Sequence, residues 1–271
     1  MFVSCFLYGG LGNQLFQIFT TIAYSIKHGV NFQFMRTENL GKRPVYWGSF
    51  LKGLCPYLST DIDPDAMYKI SQKDDLQLEA PQNTPVILDG YFQSPLFFEE
   101  YYLAITTLTG IARIQDSIFA KFNESYSSKF CISMHFRRGD YKELQHIHPI
   151  MPIEYYENAL AYITAVNPRD RYTVIYFCED EDADAIINTD IARLESSFPN
   201  CVFRRFTGDS DWEEMLYMSC CSAHIIANSS FSWWGAYMDR RDNTVCYPGK
   251  WFGNAEFPVI LFPPQWTKIA L

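Results

Sequence analysis

Apolar and polar positions alternate along the chain in two rhythms. FVSCFL (2–7) is a short apolar run ended by Gly9-Gly10, which predicts a strand. From 11 to 29 the apolar residues Leu15, Phe16, Phe19, Ile22, Ala23 and Ile26 recur three and four apart, predicting a helix that stops at Gly29. NFQFM (31–35) returns to strand, and a β-loop-α-β start predicts a parallel α/β architecture. Residues 36–85 are polar and irregular, with a short helix around 47–54. PVILDGYFQS (85–94) is a strand running into a glycine turn, and 95–122 reads as helical.

Beyond NESYSSK (123–129), a polar linker-like stretch, the rhythm sharpens. Strands are predicted at FCISMHF (130–136), RYTVIYFCED (171–180), CVFRRF (201–206) and the start of AHIIANSS (223–230). Helices are predicted at 152–166, near 181–196, at 211–222 and near 231–239, and VCYPGKWF (245–252) reads as the last strand and loop. The linker divides an N-terminal domain, 1–125, from a C-terminal domain, 126–271.

Composition narrows the function. A hydrophobic content of 48% is ample for a packed core. A net charge of −9 disfavours non-specific binding to nucleic acid or anionic membrane, so an anionic ligand needs a local positive site. The eight cysteines form no CxxC pair, which argues against a zinc ribbon and for buried free thiols in a reducing compartment. No apolar run approaches the ~20 residues that span a bilayer, and the first residues lack a basic leader. The expected location is cytoplasmic, soluble or peripherally membrane-associated.

Four stretches could carry chemistry. GGLGNQ (9–14) joins strand to helix, either as a backbone cradle for phosphate or as a tight structural turn. MHFRRGDY (134–141) places Arg137 and Arg138 at a strand end. Their planar forks of donors suit a phosphate, and the bland alternative is an Arg–Asp surface pair. His135 is either a binding residue or a satisfied core histidine. CEDEDAD (178–184) could chelate a cation, but 181–184 are better read as favouring the start of the next helix, leaving Glu179 or Asp180 to bond a ribose or base. ANSSFSWWGAYM (227–238) offers hydroxyl, amide and backbone donors at a helix start, with Trp234 read as core. No G-x-S-x-G elbow supports a hydrolase, and His146 and His148 make a poor metal set.

Taken in order, GGLGNQLFQ, GYFQS, HFRRGDY, ANSSFSWWGA and P-x-x-WF resemble glycosyltransferase family 11, the α-1,2-fucosyltransferase family. The arginine motif is shared more loosely with α-1,6- and protein O-fucosyltransferases. The resemblance implies a GT-B-like fold, two Rossmann-like domains facing a central cleft, and metal-independent, inverting transfer of L-fucose from GDP-fucose to a galactose-containing glycan. No cofactor is implied. Arg137 and Arg138 would hold the diphosphate, and His135 and Asp140 would organise that loop. Asn228, Ser229, Ser230, Phe231 and Ser232 would line the nucleotide or phosphate side, while Gly10, Gly12 and Asn13 would approach from the N-terminal domain. Arg138 would stabilise the leaving group, with Asp140 or Glu143 receiving the acceptor proton. The chain departs from the family where Cys178-Glu179-Asp180 stands in place of Ser-Asp-Asp. Two alternatives remain: transfer of another nucleotide-linked sugar such as GDP-rhamnose, and a non-catalytic glycan- or nucleotide-binding module.

Overall fold

A computed structural model describes residues 1–72, 78–81, 83–126, 130–253 and 259–270. The chain divides into two compact units, Met1–Ile114 with Ile260–Phe262, and Gln115–Val259 with Pro263–Leu271.

Unit 1 begins with β1 (Phe2–Cys5) and α1 (Leu11–His28). Leu15, Phe16, Phe19, Ile22 and Ala23 are buried as their spacing predicts, but Ile26 in the last turn is exposed. The predicted strand 31–35 is split into β2 (Asn31–Phe32) and β3 (Phe34–Met35). The irregular segment then supplies a hairpin, β4 (Asn39–Leu40) with β5 (Arg43–Pro44), and β6 (Leu58–Ser59), which pairs in parallel with β3. In place of the short helix at 47–54 stands a 3₁₀ segment, Lys52–Tyr57. β7 (Tyr68–Ser71) has only Ile70 buried, so no apolar run announced it. With β8 (Val86–Asp89) it completes an all-parallel sheet of order β2-β1-β8-β7, and α2 (Tyr102–Thr109) follows.

The division between units falls in the first turn of α3 (Ile111–Tyr126). Residues 123–126 of the expected linker are the end of this helix, and 127–129 lie outside the described residues. Unit 2 continues through β9 (Cys131–His135), α4 (Ile153–Val166) and β10 (Tyr172–Phe177). α5 (Ala183–Ile186) runs through a π-helical stretch, Ile187–Ile191, into α6 (Ala192–Ser197). β11 (Cys201–Arg205), α7 (Asp211–Met218), β12 (Ala223–Ile225), α8 (Ser230–Tyr237) and β13 (Thr244–Pro248) complete the alternation. A further strand, β14 (Thr267–Ile269), follows the one expected to be last.

All six strands of unit 2 are parallel, in the order β11-β10-β9-β12-β13-β14. β9 is buried along its whole length, as a central strand with both faces covered must be, while edge strand β11 alternates buried and exposed. Ile132, Met134, Val174 and Ile225 from the sheet join Tyr155, Leu160 and Ile163 of α4 in the core. Among the described residues, no helix is long and apolar enough to cross a membrane.

Candidate functional site

The strand order of unit 2 creates a crevice. From β9 the chain proceeds outward to β10 and β11, and from β12 it proceeds the other way to β13 and β14. The loops leaving neighbouring strands β9 and β12 therefore diverge, and parallel sheets bind ligands at the carboxyl ends of such a pair. Those ends carry HFRRGDY and ANSSFSWW. Tyr141 donates its hydroxyl to the Asn228 carbonyl at 3.1 Å, and the His135 and Phe231 rings lie 5.4 Å apart.

Both arginines are partnered. Arg137 donates through Nη1 to Glu179 and through Nη2 to Asp140, and its guanidinium lies 4.9 Å from the Tyr141 ring centre. Arg138 donates through Nη2 to Asp190 Oδ2 at 2.6 Å. Asp190 is buried on the π-helical stretch, and the Thr189 hydroxyl donates to the same oxygen at 2.9 Å. Lys142 pairs with Asp182, whose other oxygen accepts the Gly139 N–H at 2.8 Å. Three cations thus face Asp140, Glu179, Asp182 and Asp190, so the loop holds preorganised donors without surplus positive charge.

Gly139 is required by this arrangement. Its φ is +28°, and a Cβ there would stand 2.3 Å from Glu179 Oε2. Burial pushes the Glu179 carboxyl up against the opposing pull of Arg137, with Asp182 and Asp140 adding repulsion. Burial also opposes ionisation of Asp182, but Lys142 and the Gly139 N–H prevail and hold its carboxyl below the usual range. Burial, helped by Arg137, pushes His135 down to about 3, so the imidazole is neutral, and its Nδ1 has no partner among the described residues. Asp180 points outward to Arg205, and Glu143 is exposed just beyond the loop.

The second stretch divides into wall and foundation. Asn228 is buried and donates through Nδ2 to the carbonyls of Pro149 at 2.9 Å and Trp251 at 3.0 Å. Ser229 caps α8, its Oγ accepting from Phe231 N–H. Ser232 is fully buried, and its hydroxyl donates to the Ala227 and Ser229 carbonyls. The Ser232 hydroxyl and the Asn228 Nδ2 are therefore spent on the loop itself, while the buried Asn228 Oδ1 has no partner among the described residues. Ser230 and Phe231 are half-exposed at the crevice. Trp233 and Trp234 lie in the core.

In unit 1, Gly10 caps α1 and has open space where a Cβ would stand. Gly12 is buried in the first turn of α1. Asn13 accepts from Gln93 Nε2 at 2.8 Å, which ties GGLGNQ to GYFQS.

Asp190 was not singled out by the sequence; Tyr141 lay in MHFRRGDY with no role of its own, and Asp182, read with 181–184 as favouring the next helix, instead binds Lys142 and the Gly139 N–H. Asp190 lies 52 residues from Arg138 inside a helix-like pattern, and only a wider π turn presents it to the arginine loop. A Ser133–His224–Asp239 alignment also emerges, with Ser133 Oγ 2.8 Å from His224 Nδ1 and His224 Nε2 2.9 Å from Asp239 Oδ2. All three side chains are enclosed, so this alignment serves packing. Glu179, Glu181 and Asp182 bring carboxylate oxygens within 4.8 Å of one another, although Asp182 is already engaged by Lys142 and Gly139.

The chain is 34% identical over 130 residues, 45% of its length, to the O-antigen biosynthesis glycosyltransferase WbnK of Escherichia coli. It is 29% identical over 150 residues, 51% of its length, to an α-1,2-colitosyltransferase of Escherichia coli. These matches cover 39% and 47% of the two relatives, so the aligned stretch spans less than half of either. A mutant of Arabidopsis thaliana FUT1 in complex with GDP matches 90% of this chain and 70% of its own with a TM-score of 0.55 at 9% identity. That likeness establishes the fold, which is GT-B-like with parallel α/β units. The sequence model of Glycosyl transferase family 11 matches residues 57–270, most of the chain and all of the arginine loop and its neighbours, and the chain belongs to that family.

Proposed function

We propose that this chain is an inverting glycosyltransferase that moves L-fucose from GDP-fucose to a galactoside hydroxyl, through an α-1,2 linkage and without a metal. The observation that carries the reading is the meeting of the Arg137–Asp140 loop with 228–231 at the crevice between β9 and β12. Family membership supports it, and so does the GDP held by the structurally similar FUT1 mutant.

Arg138, fixed by buried Asp190, and Arg137 hold the diphosphate. Asp140 is the most exposed carboxylate partner of Arg137, so the entering diphosphate displaces it. The acceptor oxygen attacks the anomeric carbon, the carbon–oxygen bond to the β-phosphate breaks, and its electron pair remains on GDP. Guanidinium groups stabilise that growing charge more in the transition state than in the ground state. The released Asp140 receives the acceptor proton, with Glu143 as the neighbouring carboxylate. His135, Ser230 and Phe231 shape the nucleotide side, with Glu179 and Asp180 at the adjoining strand end.

Thermal melts with GDP, GDP-fucose, GDP-rhamnose and UDP-galactose test donor choice, since a ligand present at about 100 times its Kd stabilises by about 2.7 kcal/mol. GDP-fucose is expected to give the largest shift and to turn over with lactose in EDTA. Loss of turnover in EDTA with recovery on manganese would overturn the metal-free mechanism. No shift with any GDP-sugar would overturn the function.

The colitosyltransferase relative favours a second reading, a 3,6-dideoxy donor. A site that hydrogen-bonds the sugar 3-hydroxyl rejects the 3-deoxy donor by up to about 10⁴. The ratio of kcat/KM for GDP-fucose and GDP-colitose separates the two.

A further inference from the structure

The GYFQS turn has a geometry that donor binding does not explain. Gly90 follows β8, and a Cβ there would stand 2.4 Å from the Gln72 Cβ, so only glycine lets the chain pass. Phe92 then adopts a φ of +50°, an uncommon conformation for an aromatic residue. It is held there by its fully buried ring and by its N–H donating to Gln72 Oε1 at 2.7 Å. Gln93 closes the turn on Asn13. Backbone strain of this kind persists where the surroundings enforce it, and it concentrates at functional sites.

The consequence is the placement of Tyr91. With Phe92 turned inward, Tyr91 projects outward and is 47% exposed. Tyr8, 37% exposed beyond the end of neighbouring strand β1, lies with its ring centre 6.1 Å from that of Tyr91 at an interplanar angle of 63°. The Tyr8 hydroxyl donates to Asp89 Oδ1 at 2.8 Å, and Lys69 Nζ stands 3.5 Å from Oδ2. Two exposed aromatic side chains in edge-to-face contact, and a carboxylate bonded by one of them, therefore meet at the carboxyl ends of two paired parallel strands, β1 and β8.

We propose that Tyr8, Tyr91 and Asp89 form a sugar-binding platform of unit 1 that takes a pyranose ring of the acceptor glycan. A pyranose presents a face of weakly positive C–H groups, which suits the negative face of an aromatic ring. Its rim of hydroxyls suits a carboxylate, which retains acceptor capacity beyond the Tyr8 and Lys69 contacts. The assignment to an acceptor rests on the transferase reading above, whereas the affinity for a sugar ring does not.

The test uses the full chain and lactose, read by saturation-transfer NMR without any nucleotide, beside thermal melts with GDP-fucose on the same proteins. Wild type is expected to transfer saturation to the ring C–H protons of lactose. Tyr91→Ala and Tyr8→Ala should weaken lactose binding by about 3–10-fold, the worth of one aromatic contact. Tyr8→Phe, which keeps the ring, should stay closer to wild type, and the GDP-fucose melting shift should persist in Tyr91→Ala. In turnover assays the loss should appear in acceptor KM and not in donor KM. Lactose binding absent from wild type, or unchanged in both alanine variants, would overturn the platform. Failure of GDP-fucose to stabilise wild type would overturn the transferase reading and leave the lactose result to decide the platform alone.

Discussion

Arg138 donates to buried Asp190 at 2.6 Å, and the carboxylate is delivered by a π turn 52 residues further along the chain. A hydrogen bond to a charged group contributes about 1.5–3 kcal/mol. Asp190→Asn keeps an acceptor but loses the charge, so the fold should survive while Arg138 loses its orientation. The expected result is a fall of about 10–100-fold in kcat/KM for GDP-fucose with an unchanged circular dichroism spectrum. Wild-type kinetics in this variant would remove Asp190 from the account.

Gly139→Ala should damage activity more than stability. A non-glycine residue at positive φ costs about 1–2 kcal/mol, and the new Cβ displaces the Glu179 carboxylate from Arg137. Combining it with Glu179→Ala removes the collision but leaves the backbone cost. The double variant should recover stability part-way and donor affinity incompletely, measured by melting and by GDP-fucose titration.

The two halves of ANSSFSWW should respond differently. Ser232→Ala removes a hydroxyl that, among the described residues, bonds the Ala227 and Ser229 carbonyls, so donor KM should stay within about twofold and stability within about 1 kcal/mol. Asn228→Ala strips two loop carbonyls of their donor and should cost about 2–4 kcal/mol in urea melts. A large rise in donor KM for Ser232→Ala with normal stability would return that hydroxyl to the ligand.

Glu214 on α7 gives a pH signature. Burial pushes its carboxyl up to about 7, against the Gly208 N–H and Arg205. Below the unfolded value both states hold the proton. Between there and pH 7 only the folded state holds it, so stability falls as pH rises, and above 7 the penalty is complete. Glu214→Gln keeps an acceptor for Gly208 and should gain about 1–2 kcal/mol at pH 8, with little gain at pH 4.5. Melting at the two pH values checks the sign.

Elements built on local periodicity were legible. α1, β9, β10 and α4 each bury their own repeating apolar residues, so pattern alone locates them. β7 and β14 were not, because one holds a single buried residue and the other is a short strand at the sheet edge. The π-helical stretch was hidden as well, since one wider turn leaves helical periodicity almost intact. In the site, glycine, arginine and the serine-rich turn stood out by type, but the direction of each side chain did not. Ser232 faces inward because the helix carrying it packs on that face.

By itself, then, the sequence determined the parallel α/β alternation, the loops at which polar chemistry gathers and the five motifs of a family. These depend on residue type and on spacing within one element. Tertiary structure alone decided that β9 and β12 are neighbours, that Asp190 anchors Arg138, and that Tyr91 stands beside Tyr8. Strand order and side-chain pairing are set by which apolar faces bury one another across long chain separations, and local periodicity carries no record of that choice.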